Sequence, residues 1–144
     1  MLNGSKTIAA ISTASGAGGI GVVRISGSLA LEIGQKISGG ILPPRVANFH
    51  SFKDLNGTLI DQGLILFFSA PNSFTGEDVI ELQCHGGTIV TQSVLNFCLK
   101  NGAKLAEPGD FTKRAYLNNK IDLAQAESVV DLINASTEEA ALGA

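Results

Sequence analysis

Asn72-Ser73-Phe74-Thr75-Gly76-Glu77-Asp78-Val79-Ile80-Glu81-Leu82-Gln83-Cys84-His85-Gly86-Gly87 joins a polar turn, a short apolar strand and a glycine pair. The strand is expected over residues 78–83, with Glu81 set between Ile80 and Leu82. A helix is expected from about Thr88 to Lys100, burying Val90, Val94, Phe97 and Cys98 and stopping at Asn101-Gly102. Polar and glycine residues crowd around this strand, so much of the local chemistry serves something other than a core.

Upstream, Phe49 to Leu55 and Leu59 to Phe68 flank Asn56-Gly57, a strong hairpin signal. Lys6 to Ser12 and Val22 to Ser26 read as two further strands separated by a glycine run. Ser28 is the expected N-cap of a helix over residues 29–38, with Glu32 in its first turn and Leu29, Ile33 and Ile37 on one stripe. Gly39-Gly40 ends that helix, and Pro43-Pro44 predicts an extended connection. Downstream, a short strand near Ala103 to Leu105 precedes Pro108, expected at the first position of a helix running to about Leu117.

The character changes from Asp122 onward. Asp122 and Gln125 suit a capping box, and Leu123, Ala126, Val130 and Ile133 follow at helical spacing. Nothing later in the sequence covers that stripe. Residues 119–144 are therefore expected to open a second, helical domain, truncated here, after a first domain over residues 1–118.

The chain has 144 residues, enough for a real core, and a formal charge of −3. A fragment that held RNA chiefly through phosphates would be basic with a clustered Lys/Arg face, so RNA contact by this chain alone is expected to be weak. Two cysteines and no charged leader predict a cytoplasmic protein with reduced thiols. No apolar run approaches the roughly 20 residues that span a bilayer, and one Cys-His pair is too few ligands for zinc.

Gly16, Gly18 and Gly21 satisfy G-x-G-x-x-G, but Gly21 leads into Val22-Val23-Arg24-Ile25, a strand. A dinucleotide site needs a helix at that point, so the glycines read as a flexible connection or as a bare loop open to a ligand or partner chain. No G-x-x-x-x-G-K-[ST] phosphate loop occurs. Arg24 alternates onto the strand face of Val22, opposite Val23 and Ile25, and is either solvated or paired with an anion. Glu81 shares a face with Val79 and Gln83; it is either exposed or presents two acceptors to an N–H and amino edge such as a pterin carries. Cys84 and His85 point to opposite sides of an extended chain and cannot form a catalytic dyad. Lys113 and Arg114 are expected to be solvated. Lys120, just after the αL stop expected at Asn118-Asn119, can reach over a pocket or form an interdomain ion pair.

Three separated blocks carry a family resemblance: the glycine loop through Val23-Arg24-Ile25-Ser26-Gly27, then Pro71 to Gly87, then Glu107-Pro108-Gly109 with Leu117-Asn118 and Lys120 to Glu127. Together they resemble the N-terminal part of the MnmE (TrmE) family of tRNA modification GTPases, over essentially the whole chain. The sequence departs from the pattern at Cys84, where glycine is usual, and at Ala14-Ser15, where prolines are common.

The resemblance implies an α+β fold. It is a mixed β-sheet with flanking helices, related to the tetrahydrofolate-binding domain of aminomethyltransferases, plus the start of a helical domain. It implies a homodimer through this domain that binds 5-formyl-tetrahydrofolate, with Arg24, Glu81 and Lys120 at the family's folate-contacting positions. Glu81 would accept from the pterin edge, while Arg24 and Lys120 would supply positive charge to ligand oxygens; the ligand would neutralise charges otherwise unpaired on these strands. For the full-length protein the resemblance implies a GTP hydrolase. With an FAD-containing partner it installs an aminomethyl or carboxymethylaminomethyl group at C5 of the tRNA wobble uridine. GTP, magnesium and potassium would bind only in the missing domain, so this fragment is expected neither to hydrolyse GTP nor to hold catalytic residues. Two rival readings stand beside it: a stand-alone folate-dependent aminomethyltransferase-like protein, and a dimerisation module without folate.

Overall fold

The computed structural model describes residues 6–12 and 20–128. Nine elements follow in order: β1 (Ile8–Ile11), β2 (Gly21–Ser26), α1 (Ala30–Ser38), β3 (Asn48–Lys53), β4 (Leu59–Phe68), β5 (Val79–Cys84), α2 (Gly87–Lys100), β6 (Lys104–Leu105) and α3 (Asp110–Leu117). The strands form one sheet in the order β3-β4-β5-β2-β1-β6. All pairings are antiparallel except β1 with β6, so the fold is α+β with a mixed sheet.

Alternation sorts the two faces. Val23, Ile25, Ile65, Ile80 and Leu82 point to one side and are fully buried with Ile33 of α1 and Val94 and Cys98 of α2. Burying an aliphatic side chain of this size contributes about 1.5–3 kcal/mol, so this face supplies most of the folding free energy. Val22, Arg24, Glu81, Gln83, Leu64 and Leu66 alternate to the opposite face and are all half-buried. Among the described residues, α3 meets that second face, where the Phe111 ring lies over Arg24.

Local details depart from the sequence expectations where side chains from elsewhere intervene. Ser28 is not the N-cap of α1: Leu29 is, and its N–H donates to the Thr7 hydroxyl at 2.9 Å. Pro108 is not in a helix; Gly109, left-handed at φ 86°, is the N-cap of α3, which starts at Asp110. The hairpin forms as expected, but its turn runs from Asp54 to Gly57, closed by Gly57 N–H donating to Asp54 O. Asp54 Oδ1 also accepts from Asn56 N and Thr58 N, so a carboxylate organises the turn. The reciprocal bonds of the capping box are present: Gln125 N to Asp122 Oδ1 at 2.7 Å and Asp122 N to Gln125 Oε1 at 3.0 Å. They open a helical stretch over residues 123–128; Val130 and Ile133 lie outside the described residues. Among the described residues, no helix is long and apolar enough to cross a membrane.

Candidate functional site

Antiparallel register sets Arg24 of β2 directly opposite Glu81 of β5 on the sheet face away from α1 and α2. Glu81 Oε1 accepts from Arg24 Nε at 3.2 Å and Nη2 at 3.0 Å. The side chains are 29% and 23% exposed, so the pair is part-desolvated yet reachable. The Arg24 guanidinium carbon sits 5.8 Å from the centre of the Phe111 ring, within cation–π range. The expectation of unpaired charges awaiting a ligand is corrected here. Arg24 and Glu81 already neutralise each other, which is how two charges are tolerated mid-sheet. The bonding uses one carboxylate oxygen; among the described residues Glu81 Oε2 and Arg24 Nη1 make no hydrogen bond.

Lys120 is positioned by the end of α3. Asn118 is the C-cap, Asn119 takes the left-handed turn at φ 59°, and Lys120 N donates to Ala115 O at 2.8 Å. Lys120 Nζ then donates to Pro71 O at 3.0 Å. The approach depends on Gly76, at φ 82°, where a Cβ would lie 2.8 Å from Asn118 Cβ and 3.5 Å from Lys120 Cγ. Thus the fold brings Arg24 and Glu81 into contact, while Lys120 bonds the Pro71 loop, at the opposite end of α3 from Phe111. A cavity of about 410 Å³ lined by Leu59, Val90, Phe97 and Lys100 contains none of the three.

Two residues missed in the sequence join these parts. Arg114 Nη1 donates to Glu77 Oε1 at 2.9 Å, with side chains only 12% and 6% exposed. The expectation that Arg114 is solvated is therefore wrong, whereas Lys113 is exposed as expected. Arg114 Nη1 also reaches Ser26 O, and Nη2 donates to Lys6 O. Ser26 Oγ donates to Glu77 Oε1 at 2.8 Å and lies 2.7 Å from Thr75 Oγ1. The available signal was helical spacing: Arg114 stands one turn from Phe111 and next to Ala115, on the side that packs on the sheet. Glu77 had no such signal, because its loop has no period.

The Cys84-His85 reading holds. Cys84 is buried among the core residues of β5, and burial, then the Asp61 carboxylate, push its thiol up to about 12. His85 is exposed, with Nδ1 3.2 Å from Gln62 O. Its backbone N–H and that of Gly86 donate to Asp61 Oδ2 at 2.7 and 3.2 Å, so Asp61 of β4 serves the start of α2. Gly21 opens β2 rather than a helix, which removes the geometry of a dinucleotide loop; Gly16 and Gly18 lie outside the described residues. No cluster of three or more His, Cys, Asp or Glu able to hold a metal occurs among the described residues.

Comparison with known proteins matches residues 7–120 to the family described as GTP-binding protein TrmE N-terminus. The chain is similar to tRNA modification GTPase MnmE of Neisseria meningitidis serogroup C, 59% identical over 98% of this chain and 32% of the relative. The protein of that name from Chromobacterium violaceum is 60% identical over 96% and 31%. That from Pseudomonas entomophila is 55% identical over 96% and 30%. The chain thus spans about a third of the length of these relatives.

Proposed function

This chain belongs to the family of the GTP-binding protein TrmE N-terminus, and from that premise we propose that it is the folate-binding and dimerisation domain of a tRNA-modifying GTPase. Residues 1–118 form that domain, related to the folate domain of aminomethyltransferases, and residues 119–144 begin a helical one. In the whole protein, cytoplasmic and acting with an FAD-containing partner, GTP turnover serves installation of an aminomethyl or carboxymethylaminomethyl group at C5 of the tRNA wobble uridine. GTP, magnesium and potassium belong to a domain outside this chain.

The observation that carries the folate reading is the incomplete bonding of the Arg24–Glu81 pair. A planar heterocycle with adjacent N–H donors and a carbonyl suits the acceptor left at Glu81 Oε2 and the donor left at Arg24 Nη1. Phe111 adds an aromatic wall above the guanidinium. Bound 5-formyl-tetrahydrofolate would supply a one-carbon unit at its formyl group; the chain's part is to hold and orient the pterin. Lys120 supplies the second cation, on the side of the Pro71 loop. Dimerisation is supported by the same face, where half-buried Leu64, Leu66 and Phe68 continue to Phe49, which is 63% exposed. A second copy covering these residues would place the ligand at the junction of protomers.

Calorimetric titration of 5-formyl-tetrahydrofolate into the wild type and Glu81→Ala tests this reading. Loss of two charge-assisted hydrogen bonds predicts at least a tenfold weaker affinity, since about 1.4 kcal/mol corresponds to tenfold. Equal affinity in both proteins, or binding in neither, rejects the site and favours a dimerisation module without folate.

A further inference from the structure

We propose that the buried Arg114–Glu77 pair is the positioning element of this site, a clasp that fixes α3 so that Phe111 and Lys120 stand at their places. The inference rests on the folate reading above and adds residues to it.

The argument starts from how little else docks α3. Its only fully buried residues are Thr112 and Ala115, both small, so apolar burial gives this helix a weak hold on the sheet. The polar network gives it a strong and directional one. Arg114 ties α3 to the end of β2 through Ser26 O, to Glu77 of the Pro71–Asp78 loop, and to the chain before β1 through Lys6 O. Glu77 in turn gathers the Ser26 hydroxyl, and Thr75 Oγ1 accepts from Glu77 N at 3.2 Å. Asn118 Nδ2 donates to Thr75 O at 2.9 Å and closes the circuit next to Lys120. No fully inaccessible side-chain polar atom among the described residues lacks a partner.

Its two ends carry the candidate ligand groups. Phe111 lies one turn before Arg114 and rests on Arg24; Lys120 lies beyond Asn118 and reaches the same loop that holds Glu77. A site built on a short helix needs supporting bonds of this kind, because a loosening of about 1 Å is enough to spoil it. The Arg114 and Glu77 side chains are only 12% and 6% exposed and spend their bonds on each other, Ser26 and Lys6, so their contribution passes through Phe111 and Lys120.

Two variants test the clasp: Glu77→Gln, nearly isosteric and still able to bond Ser26, and Asn118→Ala, which cuts the tie to Thr75 while sparing the ion pair. Each is measured alone and combined with Lys120→Ala, by titration with 5-formyl-tetrahydrofolate. Each single variant is expected to weaken binding about tenfold, and each double variant to lose less than the sum of its two single losses, because coupled residues are not additive. In the ligand-free protein, amide exchange is expected to speed up over residues 110–120 in both variants while β2 and β5 stay protected. Unchanged affinity in both single variants, losses that add to that of Lys120→Ala, or unaltered exchange over α3 would overturn the clasp. If the wild type binds and Glu81→Ala does not, those results condemn the clasp alone; if the wild type itself fails to bind, the folate reading falls and the clasp with it.

Discussion

Glu81 and Arg24 divide their bonding capacity unevenly, and that division is the source of their proposed chemistry. One carboxylate oxygen takes both guanidinium bonds, and among the described residues the other takes none. Had Glu81 met Arg24 in a two-oxygen fork, less would remain for a ligand. The register of β2 with β5 produces this geometry, and on its other side β5 pairs with β4 beside a residue with no side chain. At Gly63 of β4, a Cβ would come 1.8 Å from Gln83 O on the neighbouring strand β5, so β4 and β5 meet there only as glycine allows. Gly63→Ala is expected to destabilise the protein by about 3 kcal/mol or more, comparable to overpacking a core, read as a lowered urea midpoint. A midpoint within about 0.5 kcal/mol of wild type would show that the strands part without cost. Glu81 itself was legible, because an acid inside an apolar strand stands out. Its pairing was not: alternation gives the face of each residue, and only strand order supplies the neighbour.

Among the elements, β5 and α2 were readable almost to the residue because their apolar periods are strong and their ends carry glycine or asparagine. The start of α1 misled because an early serine resembles a cap, while the hydroxyl in use belongs to Thr7, some twenty residues away. α3 was placed but not understood. Its basic residues read as solvent-facing, yet Arg114 is the group that holds it down. Two thiols are closed into the core, Cys84 at the end of β5 and Cys98 in the last turn of α2, and burial pushes both up to about 12 from 9.0. The folded state thus favours the neutral thiol, so this stabilisation is fully present below pH 9.0 and is lost as pH rises from there toward about 12. Urea midpoints are expected to fall as pH climbs through that window, and to fall less steeply in a Cys84→Ala, Cys98→Ala protein. Equal slopes for the two proteins would remove the thiols from the account.

Among the described residues, one sheet face is sealed by α1 and α2 and the other is crossed by α3. Local patterns predict strands and helices but not which face stays open, since that depends on where α3 crosses. The family resemblance singled out Arg24, Glu81 and Lys120, and the fold joins the first two while setting Lys120 against the Pro71 loop. On the dimer proposal, Phe49→Asp is expected to shift the protein toward monomer in sedimentation equilibrium, because burying an unpaired carboxylate opposes association, with little change in thermal midpoint. An unchanged association state would move the interface elsewhere. The most direct measurement is a crystal structure of the protein with 5-formyl-tetrahydrofolate. The account predicts the pterin edge hydrogen-bonded to Glu81, with Arg24 and Lys120 on ligand oxygens. A pterin bound where none of these three side chains touches it would contradict the account.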